Sequence, residues 1–207
     1  MLNNKVYLKL LKMAISAQQI KDLREKTGAG ISDVKRALEE NQGDMENALK
    51  AIERKLGGSA AKKATRETHS GLVEAYVHSN GRIASVVEVF CETDFVARNP
   101  EFKEFAHGLA MHIAAMRPAF LSLENIPKEE WDAEKIRFQE EVKKMGKPAE
   151  MLENIVEGKL KAYFGGLAFL NQPFIKDQNK TVLDVVNESI GKFGENIKIG
   201  KFARFEI

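Results

Sequence analysis

The 207-residue sequence has one cysteine, Cys91, which excludes an internal disulfide and every multi-cysteine zinc pattern. A lone thiol fits a reducing compartment, and the cytoplasm is the expected location. No apolar run approaches the roughly 20 residues of a membrane-spanning helix, so no contact with a membrane is expected. Charge of one sign is also missing. Lys+Arg total 32 against 30 for Asp+Glu, and a net +2 is too small to mark nucleic acid as a direct partner. Neither the G-x-x-x-x-G-K-S/T phosphate loop nor G-x-G-x-x-G occurs, so the chain is not expected to bind nucleotide itself. His107 and His112 stand five apart and do not share a helix face, which argues against an H-x-x-x-H metal site. Neither metal nor cofactor is expected.

What is present is a globular composition, with 43% hydrophobic and 30% charged residues. Residues 1–13 form an N-terminal extension with Lys5, Lys9 and Lys12 among leucines and no acid, and it lacks the cleavage site or Arg/Ser bias of a targeting peptide. Ser16 with Gln19 then forms a capping box for a first helix. From residue 14 to 56 the apolar spacing predicts three short helices. Ile20 and Leu23 line the first, Val34, Ala37 and Leu38 the second, and Met45, Ala48, Leu49 and Ile52 the third. Gly28-Ala29-Gly30 ends the first helix and Ser32 caps the second, while Gly43 ends the second and Asp44 caps the third. This module resembles a ubiquitin-associated (UBA) fold whose loop exposes Ile31, although Ile31 also suits the edge of a core. Residues 57–68, starting Gly57-Gly58-Ser59, read as a linker, flexible at the glycines and open to helix beyond them.

Residues 69–207 read as a core domain. Leu72–Val77 and Ile83–Cys91 flank Asn80-Gly81, a strong hairpin signal. Asn99-Pro100-Glu101 starts a helix on which Phe102, Phe105, Ala106, Leu109, Ala110 and Ile113 share a face, and the helix ends before Pro118. From about residue 127 to 163, Trp131, Phe138, Val142 and Met145 pair across Gly146-Lys147-Pro148 with Leu152, Ile155, Val156, Leu160 and Tyr163. The expected form is a protruding helical hairpin, either structural or a contact arm. Gly165-Gly166 and Gln172-Pro173-Phe174 read as loop. Thr181 caps a helix, and Ile197–Phe205 reads as a strand that joins the hairpin's sheet. Helices and antiparallel strands, segregated along the chain, make the class α+β.

Between the second strand and the helix after it lies Thr93-Asp94-Phe95-Val96, an acid beside a large aromatic at a backbone junction. Such a pair serves as easily in packing as in recognition. Cys91 with a histidine base (His69, His78, His107 or His112) would make a thiol enzyme, whereas a cysteine inside an apolar strand is ordinarily just buried.

Taken together, Ile20–Gly30, Cys91-Glu92-Thr93-Asp94-Phe95-Val96-Ala97, Met111-His112-Ile113-Ala114-Ala115, Gly146-Lys147-Pro148, Val156-Glu157-Gly158 and Gln172-Pro173-Phe174 resemble the elongation factor Ts family, in the family's order and over nearly all of residues 14–207. The resemblance implies a guanine-nucleotide exchange factor of translation, not an enzyme, that binds GDP-bound elongation factor Tu and promotes GDP release so that GTP can enter. It further implies that Thr93, Asp94, Phe95 and Val96 disturb the partner's magnesium site, with Phe95 as a wedge, and that Arg24, Ile31, Lys35 and His112 are further contacts. Ile31-Ser32 stands where some relatives have two large apolar residues. The sequence holds one hairpin and one Asp-Phe motif, where some members carry two copies of the core. A short form of this kind implies a homodimer in which a second chain restores the missing half. A generic protein-binding role for the UBA-like module is the alternative.

Overall fold

A computed structural model describes residues 15–144 and 149–207. The N-terminal extension, Met145 and the Gly146-Lys147-Pro148 turn lie outside the described residues. The chain divides into two compact units. One gathers the sequence up to Ser70 with Cys91–Val96 and Val186–Lys198, and the other holds Gly71–Phe90, Ala97–Val185 and Ile199–Ile207.

In the first unit, α1 (Ala17–Thr27) begins with the expected box: Ser16 Oγ accepts from the Gln19 amide while Gln19 Oε1 accepts from the Ser16 amide. Helix α2 (Ile31–Glu40) starts two residues earlier than expected. Its N-cap is Gly30, without a side-chain bond, so Ser32 is not a cap but lies inside the first turn. Helix α3 (Met45–Lys63) is capped by Asp44, which accepts from the amides of Glu46 and Asn47. Leu23, Val34, Leu38, Ala48 and Ile52 fill the space between the three helices.

Helix α3 corrects the linker reading, because it continues unbroken through Gly57-Gly58 to Lys63. Each glycine lowers helix propensity by about 1 kcal/mol relative to alanine. Ile52, Leu56 and Ala60, four residues apart, are nevertheless all buried along one stripe, and that burial outweighs propensity. Leu56 packs against Gly191.

The second unit is built on a three-stranded sheet of order β1 (Ser70–Val77), β2 (Ile83–Cys91) and β5 (Lys198–Glu206). β1 and β2 form the expected hairpin: the His78 amide donates to Ile83 O and the Gly81 amide to His78 O, closing the Asn80-Gly81 turn. β5 is the expected third strand. Gly200 lies against Glu88 and Phe90 while the Ile207 amide reaches Arg82 O, so β5 runs antiparallel to β2. The Asp94–Arg98 turn is α4, and α5 (Pro100–Met116) follows with Asn99 as N-cap and proline in its first turn. Phe102, Ala106, Leu109, Ala110 and Ile113 are buried, and Ser85 of β2 donates to Ala110 O.

Helices α6 (Lys128–Lys143) and α7 (Ala149–Gly165) make the helical hairpin. Its core is Phe138, Val142, Val156, Leu160 and Phe164, with Trp131 stacked on Phe164. Tyr163, expected in this seam, stands 40% exposed, and its neighbour Phe164 takes the position. Gln172-Pro173-Phe174 is more ordered than a loop: Pro173–Phe174 (β3) pairs antiparallel with Asp177–Thr181 (β4). Helix α8 (Val182–Phe193) starts at Thr181, whose Oγ1 accepts from the Asp184 amide. The fold is α+β. No helix among the described residues is long and apolar enough to cross a membrane.

Candidate functional site

The junction after β2 is a tight turn into α4, a five-residue helix that buries none of its own residues. Thr93, Asp94 and Phe95 are exposed and Val96 is half-buried. Asp94 occupies the first turn, where a carboxylate complements the positive end of the helix. Phe95 is 85% exposed, which leaves a large aromatic side chain in water beside a carboxylate.

Backbone hydrogen bonds fix this turn to the segment that follows α8. Glu195 Oε2 accepts from the amides of Glu92 and Thr93, both at 3.0 Å, and Oε1 accepts from the Thr93 hydroxyl at 2.5 Å. The pairing is reciprocal, since Glu92 Oε1 accepts from the Asn196 amide at 2.6 Å. Buried Asn196 in turn donates through Nδ2 to Arg66 O at 2.7 Å, and Arg66 reaches the Glu92 carboxylate at 3.5 Å. The Thr93 hydroxyl also faces the Val96 amide at 3.5 Å. Glu195 and Asn196 escaped the sequence reading. The available signal was Gly194, whose φ of 76° stops α8 and redirects two hydrogen-bonding side chains.

Arg24, Ile31 and Lys35 cluster around the α1–α2 loop. Arg24 is exposed in the last turn of α1, and its carbonyl accepts from the Gly28 amide. Ile31 opens α2 at 56% exposure, so it is a surface residue and not a core edge. Lys35 lies one turn further on the same helix face and pairs with Glu39 at 3.8 Å.

His112 is placed differently. It is fully buried, and a side chain at 0% exposure offers no surface to a partner, which corrects the expectation of a direct contact. Its ring is stacked on Phe174 and tilted against Phe169. Nδ1 accepts from the Ile175 amide at 3.1 Å, so the proton sits on Nε2 and is donated to Gln172 Oε1 at 2.9 Å. Gln172 completes the network by donating to Met116 O and Gly166 O. Burial, opposed by the Gln172 hydrogen bond, holds the imidazole below its ordinary pKa.

Cys91 is also fully buried, with its thiol against Thr93 O at 3.2 Å. The histidines considered as its base are engaged elsewhere: His69 with Glu67, His78 with Tyr76, His107 with Glu74 and His112 with Gln172. The site is thus an anchored Asp-Phe turn with the Phe95 side chain in water.

Comparison with known proteins agrees along almost the whole chain. The family model described as "Elongation factor TS" matches residues 4–207. Elongation factor Ts from Fervidobacterium nodosum is 47% identical over 195 residues, covering 94% of this chain and 99% of that protein. The Rubrobacter xylanophilus protein of the same name is 48% identical, with 94% and 100% covered, and that of Thermotoga petrophila 49%, with 94% and 97% covered. The chain therefore belongs to the elongation factor Ts family of translation elongation factors.

Proposed function

We propose that the chain is the guanine-nucleotide exchange factor for elongation factor Tu: it binds the GDP-bound form and promotes GDP release by disturbing the partner's magnesium site. The observation that carries this reading is Phe95, 85% exposed on a turn held by hydrogen bonds, with Asp94 beside it. Burying a phenylalanine side chain is worth about 1.5–3 kcal/mol. Spent on a partner conformation that binds GDP poorly, that energy weakens GDP by about ten- to a hundredfold. Asp94 adds a negative charge where the partner needs a cation to neutralise phosphates, so displacement of that cation leaves the phosphate charge uncompensated. Coupling of this kind is reciprocal, and GDP must weaken the complex by the same factor. No bond in this chain is made or broken.

Arg24, Ile31 and Lys35 form a second contact on the three-helix portion, which we read as a UBA-like recognition module at residues 14–56 attached to a core at 69–207. Exposed Ile31 supports that assignment. The core pairs with a second copy of itself, and the complex works in the cytoplasm. The experiment is release of fluorescently labelled GDP from elongation factor Tu, with and without the chain. Acceleration by the wild-type chain that is lost in Phe95→Ala supports the reading, and no acceleration by the wild type overturns it.

A further inference from the structure

We propose that Glu195 is the positioning residue of the exchange turn, holding the backbone at Glu92-Thr93 and thereby setting the direction in which Phe95 leaves the surface. This deepens the exchange reading and rests on it. The need for such a residue follows from α4 itself. A five-residue helix is far below the length at which helices are stable alone, and none of its side chains is buried to hold it in place. Its orientation therefore depends on what flanks it, and on the N-terminal side that is Glu92 and Thr93.

Those two residues have their amides on one oxygen of Glu195 and the Thr93 hydroxyl on the other. Bonds to an ionised acceptor are roughly twice as strong as neutral ones. The hydroxyl also faces the Val96 amide, which carries the constraint one turn into α4. Glu195 is in turn fixed by its neighbours. Gly194 adopts φ 76°, a left-handed conformation costly for any side chain but glycine, and buried Asn196 bonds back to Glu92 and to Arg66 O. A half-buried residue about a hundred positions away in sequence thus orients the turn.

Glutamine at 195 keeps an oxygen for the two amides and offers an N–H to the threonine hydroxyl, whereas alanine leaves all three donors without their acceptor. The first arm of the test needs no partner. In amide hydrogen exchange on the free chain, Glu195→Ala is expected to speed exchange at Glu92 and Thr93 by about tenfold, the equivalent of one net hydrogen bond. Glu195→Gln should stay near wild type, and the amides of α2 should be unchanged in both. The second arm is labelled-GDP release from elongation factor Tu. Glu195→Ala is expected to lower the stimulation about tenfold, with rescue by glutamine, and Glu195→Ala combined with Phe95→Ala should be no worse than Phe95→Ala alone. Should Glu195→Ala unfold, Thr93→Val removes the hydroxyl's bond to the same carboxylate and is read by amide exchange at Glu92, expected to rise relative to wild type. Unchanged exchange at the two amides, or additive losses in the double variant, would overturn the positioning role. If the wild-type chain fails to accelerate release, the exchange reading falls, while the amide arm still reports on the anchor.

Discussion

Phe95 and His112 are opposite cases at the scale of single residues. Phe95 touches little in its own chain, so Phe95→Ala should change stability by no more than about 0.5 kcal/mol while cutting exchange stimulation about ten- to a hundredfold. Urea unfolding beside labelled-GDP release separates the two quantities. His112 carries the converse expectation. Its lowered pKa means that the folded chain refuses a proton that the unfolded chain accepts, so the stability it contributes is fully present above about pH 6.5. That stability is lost as pH falls below 6.5 toward the folded-state value. His112→Leu abolishes this titration but orphans the Ile175 amide and Gln172 Oε1, at about 2 kcal/mol. Denaturation at pH 7.5 and 5.5 should show a less stable variant with a shallower acid slope than wild type. An equal slope would mean that the imidazole is charged in the fold. Neither fate was fixed by residue type. Asp94-Phe95 stood out as a junction, but whether an aromatic or a histidine faces water or core depends on residues distant in sequence, such as Gln172, 60 positions from His112.

At the scale of elements, local signals were legible and long-range ones were not. The Ser16-Gln19 box, the Asp44 and Asn99 caps and the Asn80-Gly81 turn are short-range physics, and each stands where the sequence places it. The stop at Gly57-Gly58 failed because a buried stripe overrode propensity, and the β3–β4 ribbon was missed because the two residues of β3 carry no period and the five of β4 are all polar. The anchor between Glu92-Thr93 and Glu195 spans a sequence separation of 103, beyond any pattern in a window. The same long-range packing gives Gly191 its role. A Cβ there would lie 2.5 Å from Leu56 Cδ2 and 3.0 Å from Leu56 Cα, so α3 and α8 approach as closely as glycine permits. Gly191→Ala should destabilise by about 1–3 kcal/mol through overpacking. Trimming the opposing side chain tests the cause. In unfolding experiments Leu56→Ala with Gly191→Ala should cost less than the sum of the separate changes, and strict additivity would place the strain on the atoms alanine keeps, Leu56 Cβ at 2.8 Å and Cα at 3.0 Å.

At the largest scale, the sheet of the second unit has one face covered and several apolar side chains exposed on the other. Ser85, Val87 and Val89 of β2 are buried, and Phe202 and Arg204 of β5 reach Phe169 and Ala114 O. On the opposite face Val73 and Val77 are 65% and 64% exposed and Phe205 63%, with Phe90 partly exposed beside them. Isolated apolar residues on a surface need no explanation, but several on one sheet face mark an interaction surface. An isologous pair fits that face, because a two-fold axis presents each valine and phenylalanine to a self-complementary partner. Light scattering after gel filtration should therefore give twice the chain mass at micromolar concentration. Val77→Asp, a charge placed on the bare face with its side chain already in water, should shift the mass to one chain while circular dichroism stays unchanged. A dimer that survives both Val77→Asp and Phe205→Asp would put the contact on another surface, and a wild-type monomer would refute the pairing. If pairing completes the binding site for the exchange partner, the monomeric variant should also need a higher concentration to reach half-maximal GDP release, with its anchored Asp94-Phe95 turn intact.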